Sequence, residues 1–162
     1  MRLFIAIGLS GEMREALRAA QRQMQAQHVT GNYTPAENMH LTLAFIGEYP
    51  DPDAVPLPPV EPFTLALEGF GCFGDLWWAG LKPCPPLQSY VRGLRRALAE
   101  GGIPFDRKKF SPHITLLRRG AGRPAIQVPD AVTEVDRVLL MRSDRGRHGM
   151  LYTELRQSGP FA

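Results

Sequence analysis

The sequence predicts an α+β fold of two similar lobes facing each other, and three observations predict it. The order strand, helix, loop, strand, linker, strands occurs twice along the chain, and each copy carries one His-x-Thr-Leu type tetrapeptide. The length of 162 residues is also enough for a sizeable core, since a chain of about 150 residues buries about two-thirds of the surface its unfolded form exposes. Ser10 lies 30 residues before His40 and Leu87 lies 26 before His113, so the spacing from helix to motif agrees between the copies. One bilobal domain over residues 1–162 is expected, with no separable second domain.

Local patterns place the elements. Arg2 to Ile7 is a β-rich run suited to a sheet interior. Ser10 offers an N-cap before Met13, Ala16, Leu17 and Ala20 at helical spacing, which predicts a helix to about Gln27. Thr30 to Asn38, with its Gly, Asn and Pro, reads as a loop, and His40 to Ile46 as a short strand ended by Gly47. Six prolines between Tyr49 and Pro62 predict an extended linker. Phe63 to Phe73 and Leu76 to Leu81 read as strands joined at Gly74-Asp75. After the break at Pro83 to Pro86, a second helix runs from Leu87 with Val91, Leu94 and Leu98 on its buried stripe and Gly101-Gly102 as its stop. Phe110 to Leu117, Val132 to Met141 and Met150 to Leu155 complete the strands.

Composition narrows the class. Gly 16 and Pro 15 together stay below the roughly 25–30% that marks low-complexity chains. No apolar run approaches the roughly 20 residues that cross a bilayer, and the apolar start is too short for a signal peptide. A soluble, cytoplasmic protein with no membrane contact is therefore expected, as a monomer. Cys72 and Cys84 fit neither a zinc ribbon nor a disulfide framework and read as reduced thiols. The net charge of +3 hides an asymmetry, −5 over residues 1–81 and +8 over residues 82–162. Such a split points to a polyanionic partner for the second half.

The motifs are His40-Leu41-Thr42-Leu43 and His113-Ile114-Thr115-Leu116. From the counts of His, Thr and Leu, chance would supply roughly 0.02 such patterns per chain. Side chains alternate faces along a strand, so His40 and Thr42 point one way while Leu41 and Leu43 point the other, and the second motif repeats this. If the lobes are related by a pseudo-twofold axis, two imidazoles and two hydroxyls meet around one site. Displacement at phosphorus needs a base on the attacking oxygen and an acid on the leaving one. One neutral and one protonated imidazole supply both near neutral pH, and the hydroxyls can donate to the non-bridging oxygens where charge grows. No metal is required, and neither motif has a Cys, Asp or second His at ligand spacing. His28 and His148 have no partner pattern and read as surface residues. The absence of a Gly-rich Lys-Ser/Thr loop speaks against ATP dependence.

The longer segments Glu37-Asn38-Met39-His40-Leu41-Thr42-Leu43-Ala44-Phe45-Ile46-Gly47-Glu48 and Phe110-Ser111-Pro112-His113-Ile114-Thr115-Leu116-Leu117-Arg118, with Arg2-Leu3-Phe4, Ser143 and Gly149-Met150-Leu151-Tyr152, carry a resemblance over nearly the whole chain. The chain resembles the two-histidine phosphoesterase superfamily, and within it the RNA 2′,3′-cyclic phosphodiesterases, also called 2′-5′ RNA ligases. The resemblance implies a bilobal fold with helices outside and a central cleft. It implies metal-free, cofactor-free opening of a 2′,3′-cyclic phosphate, on RNA ends or small cyclic nucleotides, to a 2′-phosphate. It also implies His40 as proton donor to the departing 3′ oxygen, His113 as proton acceptor from water, Thr42 and Thr115 on phosphate oxygens, and Arg118 as a phosphate or base contact. Strand parity objects to the last, because Arg118 falls with Ile114 and Leu116 while Arg119 falls with His113; either a bulge turns the chain there or Arg119 makes the contact. Related enzymes often have a Trp before the first motif where this chain has Asn32-Tyr33, and Tyr33 is a candidate for stacking on a base. Two alternatives stand beside hydrolysis: a non-catalytic RNA or nucleotide binding module, and reversible 2′-5′ ligation at the same site.

Overall fold

β1 (Arg2–Gly8) is buried without interruption from Leu3 to Ile7, because Leu3, Ile5 and Ile7 enter the main core on one face while Phe4 and Ala6 pack with Met141 on the other; β3 (His40–Glu48) and β8 (Leu139–Gly146) flank it in the sheet. The computed structural model describes residues 1–161. Antiparallel pairing with β9 (Gly149–Gln157) completes this sheet in the order β3-β1-β8-β9. The second sheet has the order β2-β6-β5-β4-β7, built from β2 (Thr30–Tyr33), β4 (Phe63–Phe73), β5 (Leu76–Leu81), β6 (Ile114–Ala121) and β7 (Val132–Val135). Helix α1 (Gly11–Ala26) follows β1, and α2 (Pro85–Glu100) follows β5.

The duplication expected from sequence is visible in the pairing. In one half β1 leads through α1 to its neighbour β3, and in the other β5 leads through α2 to its neighbour β6. β8 flanks β1 as β4 flanks β5. One buried cluster draws on both sheets and both helices, including Ile5, Leu17, Leu41, Leu65, Leu94 and Leu116. The two halves therefore share a hydrophobic core, the arrangement that lets each sheet bury one face.

Local chemistry sets the helix ends. The Ser10 Oγ accepts from the Met13 N–H at 3.1 Å and donates to the Val132 carbonyl at 2.7 Å, so one N-cap also ties α1 to β7. α2 begins two residues before the predicted start, because Pro85 and Pro86 occupy its first turn, where a missing N–H costs no hydrogen bond. It stops at Gly101, with Gly102 in the left-handed region at φ 69°.

Three segments depart from the expected elements. Part of the Thr30 to Asn38 loop is an edge strand, β2, which pairs Asn32 with Arg118 and Tyr33 with Leu117. Gly31 permits this approach, since a Cβ there would lie 2.8 Å from the Arg119 carbonyl oxygen. The strand expected from Phe110 starts instead at Ile114, after Pro112, which has no N–H for a ladder. The run from Val132 to Met141 splits at Asp136-Arg137: β7 pairs with β4 in one sheet and β8 with β1 in the other. A continuous apolar pattern cannot reveal which sheet each part joins.

Gln21, on the buried face of α1 at 7% exposure, donates through Nε2 to the carbonyls of Thr34 at 2.8 Å and Leu116 at 3.0 Å. Truncation leaves both acceptors without that donor. Gln21→Ala is expected to lower stability by about 1–3 kcal/mol, read as a lower urea midpoint with an unchanged slope.

Candidate active site

β3 and the start of β6 present their motifs as alternation requires. Leu41 and Leu43 are buried while His40 and Thr42 are half-buried; Ile114 and Leu116 are buried while His113 and Thr115 are half-buried. His113 stands just ahead of its strand and keeps the extended phase. The two motif strands belong to different sheets, yet they approach with Cα atoms within 8 Å. Backbone hydrogen bonds tie their surroundings together, from the Asp106 N–H to the Phe45 carbonyl at 2.9 Å and from the Thr34 N–H to the Leu116 carbonyl at 3.0 Å.

Each imidazole is held in the same way. His40 Nδ1 lies 3.0 Å from the Asn38 carbonyl oxygen and His113 Nδ1 lies 2.8 Å from that of Ser111, two residues back in both cases. A carbonyl oxygen only accepts, so Nδ1 carries the hydrogen and donates. Nε2 is then the position of each ring that can take or give a proton. Aromatic rings fix the remaining freedom. Phe4 and Tyr152 meet His40 edge-on at 6.4 and 5.8 Å between centroids, and Phe73 and Trp78 lie 5.3 and 6.3 Å from His113.

A bulge in each motif strand answers the parity objection to Arg118. On β6, Thr115 pairs with Trp78 but Leu117 pairs with Trp77, so Leu116 is one residue too many. Leu116 and Leu117 are consecutively buried. Alternation restarts after them, which brings Arg118 to the face of His113 and Thr115, while Arg119 takes a left-handed φ of 54°. On β3 the pairs Ala6 with Thr42 and Ile5 with Ala44 make Leu43 the extra residue. Phe45, paired with Phe4 and 55% exposed, is thereby the positional counterpart of Arg118.

The electrostatics of the two halves differ. Burial pushes the His40 pKa down; the hydrogen bond to the Asn38 carbonyl opposes this and the Arg14 cation adds to it. Tyr33 packs against the core, its hydroxyl donates to the Val29 carbonyl at 2.6 Å, and burial raises its pKa. A stacking role for Tyr33 has only the exposed part of its ring to use. Among the described residues no three His, Cys, Asp or Glu side chains gather as a metal ion would require. Among the described residues no helix is long and apolar enough to cross a membrane, and Cys72 and Cys84 are both free thiols.

Sequence reasoning missed the carbonyls of Asn38 and Ser111. They share a position, not a residue type, and a main-chain acceptor leaves no mark in a side-chain motif. The rings around His40 and His113 come from β1, β9, β4 and β5, so only the pairing gathers them.

Fold and site together describe a duplicated α+β protein that holds one histidine in the same way at each of its two motifs. The model of the family described as LigT like Phosphoesterase matches residues 7–76 and 81–152, and the chain belongs to that family. It is similar to a protein of Geobacillus stearothermophilus named RNA 2′,3′-cyclic phosphodiesterase, 31% identical over 80% of this chain. That match spans 45% of the relative, so the chain accounts for less than half its length. A protein of the same name from Escherichia coli is 34% identical over 96% of this chain and 94% of its own. Crystal structures of E. coli LigT superpose with TM-scores of 0.80 in the apo form and 0.77 in complex with 3′-AMP, at 30% identity over 97% of this chain and 95% and 96% of theirs.

Because burial favours neutral His40, nuclear magnetic resonance is expected to find it titrating below the ordinary histidine value of about 6.5. The unfolded chain then binds the proton more readily. This group's contribution to stability is expected to be complete above about pH 6.5 and to decline as pH falls toward its folded value. Titration at or above the ordinary value would contradict the burial argument.

Proposed function

We propose that the chain hydrolyses 2′,3′-cyclic phosphate at RNA ends or on small nucleotides, leaving a 2′-phosphate, with two histidines and no metal or cofactor. The observation that carries this reading is the matched locking of His40 and His113 through Nδ1, which leaves Nε2 of each ring as its proton-exchanging position. Family membership and the names of the relatives support the substrate class.

In the proposed reaction His113 Nε2 takes a proton from water as its oxygen bonds to phosphorus. The bond from phosphorus to the 3′ oxygen breaks in line, and protonated His40 Nε2 gives that oxygen its proton. One water is consumed, and a 3′-hydroxyl beside a 2′-phosphate results. Thr42 and Thr115, two residues beyond each histidine, and Arg118, brought to the same face by the bulge, donate to the non-bridging oxygens as negative charge builds there. The phosphate anion favours the imidazolium form of His40, which offsets the burial that disfavours it in the free protein.

The test uses metal-stripped protein and an oligoribonucleotide with a 2′,3′-cyclic end, with products resolved by phosphorus nuclear magnetic resonance. The expected product is the 2′-phosphate, at a rate that EDTA leaves unchanged. His40→Ala and His113→Ala should each lose ~10²–10⁴ in kcat while keeping the native circular dichroism spectrum. RNA binding without conversion would instead support the binding module, and a 3′-phosphate product would reverse the regiochemistry.

The two pH profiles should separate. Loss of the His40 proton sets the descending limb, so for kcat/KM, which reports free enzyme, that limb is expected below about pH 6.5; for kcat, with phosphate bound, it should lie higher. Coincident limbs would remove His40 as the acid.

A further inference from the structure

The hairpin of β8 and β9 ends in a basic tip beside His40. Gly146 pairs with Gly149 across Arg147-His148, and Arg145, Arg147 and His148 are all exposed. Arg142 is engaged with Asp144 at 3.0 Å, whereas Arg145 and Arg147 form no ion pair among the described residues. Leu151, 60% exposed, adds an apolar surface. The tip is fastened to the first motif: Asn38 Nδ2 donates to the Met150 carbonyl at 3.0 Å, while the Asn38 main-chain carbonyl holds His40. Tyr152, two residues beyond Met150, packs its ring on His40.

The proposed chemistry gives this placement a meaning. The oxygen that His40 protonates belongs to the ribose of the terminal nucleotide, and the attacking water stands on the opposite side of phosphorus, with His113. The rest of an RNA chain is joined to that same ribose through its 5′ oxygen. It must therefore leave the site on the His40 side, where the hairpin tip stands. The basic run Arg107-Lys108-Lys109 precedes the other motif, and Arg107 lies over the Phe105 ring at 4.6 Å.

We propose that the β8–β9 hairpin tip binds the phosphodiester backbone of single-stranded RNA upstream of the cyclic end, through Arg145 and Arg147. The inference rests on the assignment of His40 as the acid. It makes the tip a determinant of preference for RNA over a cyclic mononucleotide, which has no upstream phosphate to reach it.

The experiment compares wild type with Arg145→Gln/Arg147→Gln on two substrates, a single-stranded oligoribonucleotide with a 2′,3′-cyclic end and a 2′,3′-cyclic mononucleotide. For the oligonucleotide at low salt, kcat/KM should fall about tenfold or more, and the slope of log kcat/KM against log salt should shrink by about 1.4, at about 0.7 per neutralised phosphate. The mononucleotide should keep its rate within about twofold, since it offers no backbone contact to lose. A charge-matched variant on α2, Arg92→Gln/Arg96→Gln, should leave both substrates unchanged. An unaffected oligonucleotide, equal losses on both substrates, or an equal loss in the α2 variant would overturn the proposal while turnover of the mononucleotide keeps the functional reading intact. If wild type opens neither substrate, the functional reading fails and the hairpin proposal fails with it.

Discussion

The alternation of side chains along β3 and β6 is the constraint on which the other features hang. Each strand must bury one face, and Leu41, Leu43, Ile114 and Leu116 do so in the main core, shared by the two sheets and both helices. Their burial holds the opposite face in register, so His40, Thr42, His113 and Thr115 cannot turn inward without exposing aliphatic surface. Burying one such side chain contributes about 1.5–3 kcal/mol. The polar face is thus maintained by apolar groups that take no part in its chemistry.

Within that constraint each motif strand carries a bulge. An extra residue lets two consecutive side chains enter the core, Leu43 with Ala44 and Leu116 with Leu117. The strand then resumes in the opposite phase. The same device presents an exposed Phe45 in one half and Arg118 in the other, so duplicated backbone geometry carries different chemistry.

The halves also diverge around the histidines. Both rings are locked by a carbonyl two residues back, but only Asn38 also fastens its segment to a neighbouring hairpin through its side chain. Burial and the Arg14 cation work against charge on His40. The positive end of α1 lies close by in the chain, since Gly8, paired with His40, is followed within three residues by the helix start. A bound anion is the natural counterweight to these effects.

Much of this was legible in the chain itself. Periodicity and end signals located β1, α1, β4 and β5, because those elements depend on patterns within a few residues: the aliphatic run from Leu3, the Ser10 cap, the Gly74-Asp75 turn. The duplicated His-x-Thr-Leu pattern likewise marked both candidate histidines and both threonines without any structure. Tertiary pairing alone decided that Tyr33 belongs to an edge strand, that the run after Val132 divides between two sheets, and that Arg118 and not Arg119 shares a face with His113. It also decided which carbonyls and rings surround each imidazole. The reason is physical: alternation and capping are local properties of the backbone, whereas a bulge exists only relative to a partner strand, and a main-chain oxygen has no residue type by which a sequence could announce it.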